Sequence, residues 1–424
     1  MKKIPYNKLD LDLYEETLDN GLRIYVIPMP NVNNFYVTLS TNYGSIEREF
    51  IPRGEKEMIC VPDGIAHFLE HKMFEQKDGK DPFAFFGERG ADANANTTNF
   101  KTTYLFSGSK YLSDDLNYLL DYVYSPYFTD ENVEKEKGII DQEMKMYEDD
   151  PYSSLIENMV YNTFINHPIK IKVIGSHDSI YSITKEDLYT CYNTFYHPSN
   201  MFVVASGNVK PKEIISIVKK NMAKKKFDKK EEIVLKKYDE PNEVAKKTDS
   251  IKMDVNIPKV GIGFKLNIKN IKLPKIKIYN YISLFMDLKV DGTSILNEEL
   301  KNDGIINEGL YVTYTNVDDY VCPYILAETK NTKKLLDRIK ESISDIKVSK
   351  KDFERKVKAM TSSLITTTDS IYSMNNKAMN NIIRYGEVIT NLYDVINSFN
   401  YEEFKKVIKS LDFSNYLTYV IKSK

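Results

Sequence analysis

The sequence predicts an α+β chain built from two similar halves, and three observations lead there. Each half opens on strand-like alternation of apolar residues, at 22–27 and 35–39 in the first and 260–266 in the second. Each then continues into segments with apolar residues at helical spacing. Between them, residues 223–250 (AKKKFDKKEEIVLKKYDEPNEVAKKTDS) carry dense mixed charge and few large apolar side chains, the composition of a link rather than a core. The expected division is 1–222, a linker at 223–250, and 251–424.

The elements follow in order. Asp19-Asn20-Gly21 is a turn signal ahead of the first strand. Residues 46–63 are polar and irregular and read as a surface loop. Asp63-Gly64 opens an apolar run, IAHFLEHKMF, in which Ile65, Phe68, Leu69 and Met73 fall at helical spacing, with Asp63 as the expected N-cap. A second helix is expected at about 80–89, and a Thr- and aromatic-rich strand at 93–107. Helices are expected at 114–123, 129–147 (Thr129 as N-cap), 152–165, 184–195 and 210–222, with a buried strand at 201–205. In the second half they are expected at 279–288, 332–345 and 350–367. The segment around 284 (YNYISLFMDLK) echoes the one around 70 but contains no histidine.

Composition narrows the function classes. The chain has 424 residues, with 59 basic and 61 acidic side chains and a net charge of −2. That excludes the basic footprint of a general nucleic-acid binder. Three widely spaced cysteines, Cys60, Cys191 and Cys322, form neither a disulfide framework nor a zinc-finger pattern. No run of about 18 apolar residues occurs, and two N-terminal lysines lack the apolar stretch of a signal peptide or anchor. A cytoplasmic protein with no membrane or nucleic-acid partner is expected.

The sharpest chemical signal is His67-Phe68-Leu69-Glu70-His71, in a chain with five histidines and none after His197. On a helix His67 and His71 lie about 40° apart on one face, one turn from each other. Two imidazoles so placed can bind one zinc ion, and Glu70 can serve as general base to the water in the open position. This is the H-x-x-E-H pattern of the inverzincins. A third ligand is needed. The acidic segment at 129–147 and its flank offer Glu131, Glu134, Glu136, Asp141, Glu143 and Glu148, of which Glu136 and Glu143, seven apart, share a face; spacing alone does not choose among them.

The sequence resembles the pitrilysin/insulinase family of zinc metallopeptidases, in its mitochondrial-processing-peptidase-like branch and the YmfH-type group within it. The matching segments are TLDNGLRIYVIP at 17–28, VPDGIAHFLEHKMFE at 61–75, GADANANTTNFKTTYLF at 90–106, PYFTDENVEKEKGIIDQEMKMYEDDP at 126–151 and FYHPSNMFVVASGNV at 195–209. LFMDLKVDGTSILNEELKNDGIINEGLY at 284–311 carries the resemblance into the second half. It implies two units, each an antiparallel-rich mixed sheet with helices packed on one face, together half of a clam-shell peptidase.

The resemblance also implies roles. His67, His71 and Glu143 would bind zinc in the N-terminal domain, Glu70 would be the catalytic base, and Glu136 the carboxylate orienting a histidine. Asn94 and Ala95 would lie on an edge strand that pairs with substrate backbone. Active relatives carry an Arg and a Tyr seven residues apart in the second half; here Lys301 and Glu308 occupy those positions, with Tyr311 nearby but out of register. The implied function is a zinc-dependent endopeptidase subunit for small or unstructured peptides, paired with a zinc-less homologue or with a second copy of itself. A leader-peptide peptidase and a non-catalytic peptide-binding homologue are the alternatives.

Overall fold

The computed structural model describes residues 1–424, which pack as two compact units. The first comprises 1–144, 171–237 and 363–393; the second comprises 145–170, 238–362 and 394–424. The expected division follows the chain continuously, whereas the packed units exchange segments 145–170 and 363–393. The change of unit at 237/238 falls inside the expected linker. No helix is long and apolar enough to cross a membrane.

In the first unit a seven-stranded sheet runs in the order Lys2–Tyr6, Leu11–Thr17, Arg23–Pro28, Met201–Gly207, Phe35–Thr41, Thr102–Gly108, Asp92–Thr97. Every pairing is antiparallel except Arg23–Pro28 with Met201–Gly207. Side chains alternate along each strand. Ile24, Val26, Val37, Leu39, Tyr104, Phe106, Val203 and Ala205 enter the core beneath most of the unit's helices. Tyr25, Ile27, Tyr36, Phe202 and Val204 face the other way, where helix Ile371–Tyr385 covers them with Ile371, Met374, Ala378 and Met379. Buried on both faces, the central strands read as nearly continuous apolar runs. Asn375, on that covering helix, satisfies the buried polar groups: its amide donates to Tyr36 O (3.2 Å) and Val204 O (3.0 Å), and its Oδ1 accepts from Thr38 (3.0 Å).

Local details depart from expectation in three places. Asp63 does not cap its helix. Gly64 holds the N-cap position at φ +86°, and a Cβ there would lie 2.4 Å from Ile174 O, so only glycine fits. Asp63 pairs instead with Arg48 Nε at 3.1 Å. The expected strand at 93–107 is a hairpin, Asp92–Thr97 and Thr102–Gly108, turned by the Thr98 hydroxyl accepting from the N–H of Phe100 (3.3 Å) and Lys101 (3.2 Å). The 46–63 loop contributes two short strands, Glu49–Ile51 and Ile59–Cys60, to a small sheet with Val234–Leu235.

The second unit holds a six-stranded sheet in which Thr248–Met253, Tyr416–Ser423, Lys259–Phe264 and Tyr320–Glu328 follow one another; Leu266–Asn267 and Tyr311–Val317 both pair with Tyr320–Glu328. Helices including Lys275–Lys289 and Tyr401–Ser410 pack against it around Ile262, Phe285, Leu300 and Phe404. A buried ion pair anchors the loop at 164–167: Lys265 Nζ donates to Glu240 Oε1 at 2.6 Å, and Glu240 accepts the N–H groups of Ile165, Asn166 and His167 at 2.7–2.8 Å. Burial alone would raise the Glu240 pKa; these donors outweigh it and hold the carboxyl below its usual range.

Replacing Glu240 by Ala leaves a buried ammonium and three N–H groups without their acceptor. We expect a loss of about 3–5 kcal/mol in urea denaturation. In the unaltered protein this contribution is complete above the unfolded carboxyl pKa and declines as pH falls through the lower folded value. A loss under about 1 kcal/mol would mean that the pair behaves as a surface salt bridge does.

Candidate metal centre

The histidine-bearing helix, Ile65–Lys72, is seated by apolar neighbours. Ile65, Phe68 and Leu69 enter the main core of the first unit, while His67 and His71 share the opposite side. Their rings lie 4.6 Å apart between centroids. The long helix Asp130–Asp149 runs past them, buried through Val133, Ile140 and Met144. That periodicity turns Glu136 and Glu143 towards the histidines and leaves Glu131, Glu134 and Glu148 exposed.

One cluster results. His67 Nε2 is 3.8 Å from Glu143 Oε1, and His71 Nε2 is 3.4 Å from Glu143 Oε2. One donor atom from each of the three residues lies within 4.8 Å of the others. A tetrahedral zinc ion with ligands at 2.0–2.1 Å separates its ligand atoms by about 3.4 Å, so the donor set fits such an ion in both chemistry and spacing. Burial, followed by the charge of His71, lowers the His67 pKa and keeps that imidazole neutral, the form that ligates. His67 Nδ1 is buried without a hydrogen-bond partner.

His71 Nδ1–H donates to Glu136 Oε1 at 3.0 Å, which leaves Nε2 directed at Glu143. Burial opposes charge on His71, but Glu136 and Glu143 outweigh it and raise its pKa. Glu136 in turn is held below its ordinary value, against burial, by His71 and Lys72. The structure thus brings His67, His71, Glu143, Glu136 and Glu70 together. Among the other acids, Asp141 pairs with His177, and Glu134 with Lys137. His197 is occupied elsewhere: its Nδ1 accepts from Ser199 N–H (3.2 Å), and its Nε2–H donates to Asp228 O (3.0 Å).

Two contacts were not foreseen from sequence. Thr97, the last residue of the edge strand, donates its hydroxyl to Glu70 Oε2 at 2.6 Å. Burial raises the Glu70 pKa, and the Thr97 bond and His71 oppose that rise. Lys72 is buried beside Glu136. The only signals were a lysine set inside an apolar helical run and a threonine closing an Asn-Ala-Asn-Thr strand. Asn94 is exposed on the edge strand Asp92–Thr97, with its Oδ1 accepting from the N–H of Ala95 (2.8 Å), and Ala95 pairs with Tyr104. Lys301 and Tyr311 belong to the second unit and are exposed there. Lys301 Nζ is 3.8 Å from where a Cβ on Gly309 would sit, and Tyr311 begins the strand beside Leu326.

Comparison with known proteins gives the family and the fold. Residues 61–177 match the family described as insulinase (peptidase family M16), and residues 182–360 match the peptidase M16 inactive domain. An uncharacterized zinc protease of Bacillus subtilis, YmfH, is 43% identical over 318 residues, 74% of each chain. A probable mitochondrial-processing peptidase subunit beta of Arabidopsis thaliana is 29% identical over 219 residues, 50% of this chain and 39% of that one. The crystal structure of a putative M16-like peptidase from Alicyclobacillus acidocaldarius superposes with a TM-score of 0.92 at 29% identity, covering 98% of this chain and 99% of the other. Matched over most of its length, with its two-histidine motif inside the matched segment, this chain belongs to the insulinase family of peptidases, M16.

Proposed function

We propose that the chain is a zinc-dependent endopeptidase subunit in which His67, His71 and Glu143 hold the metal and Glu70 is the general base. The observation that carries this reading is the convergence of three donor atoms, at 3.4 and 3.8 Å across Glu143, beside a carboxylate on the same helix. A zinc ion held there supplies Lewis-acid polarisation of a peptide carbonyl and acidifies water.

The chain's own residues do the rest. Thr97 occupies one oxygen of Glu70, so the other accepts the proton of the attacking water. As the new C–O bond forms and the C–N bond breaks, Glu70 returns that proton to the leaving amine. A carboxyl raised by burial is better matched to this exchange near neutral pH than an ordinary one. The strand Asp92–Thr97 ends the sheet, so an extended peptide can add alongside it through main-chain hydrogen bonds. Thr97 joins that strand to the base, which favours short or unstructured substrates able to lie extended.

Metal analysis of the purified chain tests the first half of the reading. About one zinc per chain is expected, and His71→Ala or Glu143→Gln should lose most of it; full zinc in either variant would overturn the assignment.

Glu70→Gln tests the second half. The amide is nearly isosteric but cannot take the proton, so zinc should remain while peptide cleavage falls by about 10²–10⁴-fold or more. A near-normal rate with zinc retained would show that another group is the base.

Dependence on a partner rests on Lys301 and Glu308. Oxyanion stabilisation needs preorganised donors, and losing one costs about 2.7–4 kcal/mol in known cases. Lys301 lacks the planar fork of Arg, and Glu308 is an acceptor. We expect the isolated chain to cleave peptides slowly and a zinc-less homologue to accelerate it. Robust turnover by the lone chain, unchanged in the Lys301→Arg/Glu308→Tyr variant, would rule the partner out.

A further inference from the structure

The helix that carries both histidines ends on Lys72, whose side chain has no exposed surface. Its Nζ donates to the backbone carbonyl of Asn132 at 3.0 Å, pairs with Glu75, and lies 3.5 Å from Glu136 Oε2. Asn132 and Glu136 are one turn apart on helix Asp130–Asp149, which also bears Glu143. The other oxygen of Glu136 accepts from His71 Nδ1. One ammonium therefore grips both the backbone and a side chain of the neighbouring helix, and that side chain orients a histidine.

Burying an ammonium is unfavourable, and the surrounding positions are apolar: Phe68 and Leu69 precede it and Met73 follows, all in the core. A methionine at position 72 would fill the same slot without that penalty. What an apolar residue could not do is bind the second oxygen of Glu136. Left with His71 alone, that carboxylate could rotate, and the imidazole would lose the partner that fixes its tautomer.

We propose that Lys72 is a positioning residue for the metal centre. It pins Glu136 from behind so that Glu136 holds His71, and its bond to Asn132 O fixes the ammonium where it can do so. This rests on the zinc reading above and adds to it a residue that touches neither metal nor substrate.

The test is zinc affinity of the full chain, measured by competition with a chromophoric chelator, for wild type, Lys72→Met, Glu136→Gln and the double variant, with melting of each metal-free protein recorded alongside. Lys72→Met should weaken zinc binding by about 10–100-fold, the range for an outer partner of a ligating histidine. In the Glu136→Gln background the same change should cost less than about threefold, because the lysine acts through that carboxylate. If Lys72→Met does not fold, Lys72→Gln, which keeps a donor for Asn132 O without the charge, replaces it in the same cycle. Unchanged affinity in the folded variant overturns the proposal, and so does an equal loss in both backgrounds, which would mean the lysine serves folding alone. A wild-type chain that takes up no zinc overturns the metal reading itself, an outcome visible before any variant is compared.

Discussion

Three carboxylates, Glu70, Glu136 and Glu143, converge on two imidazoles in a part-buried pocket, and the geometry of the first unit depends on holding them there. Like charges gathered in a part-buried site repel more strongly than they would in water. Each carboxylate has a local answer. Thr97 donates to Glu70, and His71 and Lys72 meet Glu136 on its two sides. Glu143 faces two ring nitrogens, His71 Nε2 at 3.4 Å and His67 Nε2 at 3.8 Å.

Holding the helices at that spacing falls to the core. Phe68 and Leu69 pull the histidine helix onto the sheet, and Val133, Ile140 and Met144 do the same for the acidic helix. At Gly64 the chain turns into the histidine helix so close to Ile174 that no side chain fits. The edge strand is fixed at its end by the turn at 98–101, against which Ser45 and Ile46 donate their N–H groups to Thr98 O and Asn99 O. The partner of Glu70 and the open edge of the sheet therefore belong to one hairpin, and a shift in either moves both.

What could be read from the sequence follows the range over which each signal acts. His67, Glu70 and His71 lie within five residues, so helical geometry alone places the two imidazoles on one face with the carboxylate beside them. The helix 350–367 was legible for the same reason, because its spacing is local. Glu143 was not separable from its acidic neighbours by spacing, because what brings it beside the histidines is packing against a distant helix; only the family resemblance singled it out. Thr97 and Lys72 act across 27 and 60 residues respectively, and no period records such contacts. The hairpin at 92–108 was read as one strand because its turn uses a threonine hydroxyl in place of Gly or Pro. Helix Ile371–Tyr385 joins the first unit from far along the chain, and its buried Asn375 gives no hint in sequence of the carbonyls it serves.

The two units bury charge in opposite ways, and the contrast bears on function. In the second, Glu240 and Lys265 saturate one another: the carboxylate accepts four donors, and the ammonium adds a bond to Glu243 O and lies 5.0–5.2 Å from the Phe164 and Tyr320 rings. A closed cluster of that kind has nothing left to offer a ligand and serves the fold. In the first unit the closed part of the network stops at Glu136. Beyond it, one donor atom from each of His67, His71 and Glu143 lies within 4.8 Å of the others. Lys72 stands at the boundary: its own contacts are as saturated as those of Lys265, yet the carboxylate it holds leads directly to the open side. A buried cation there backs the cluster proposed to hold the metal, where the same chemistry in the other unit completes a core.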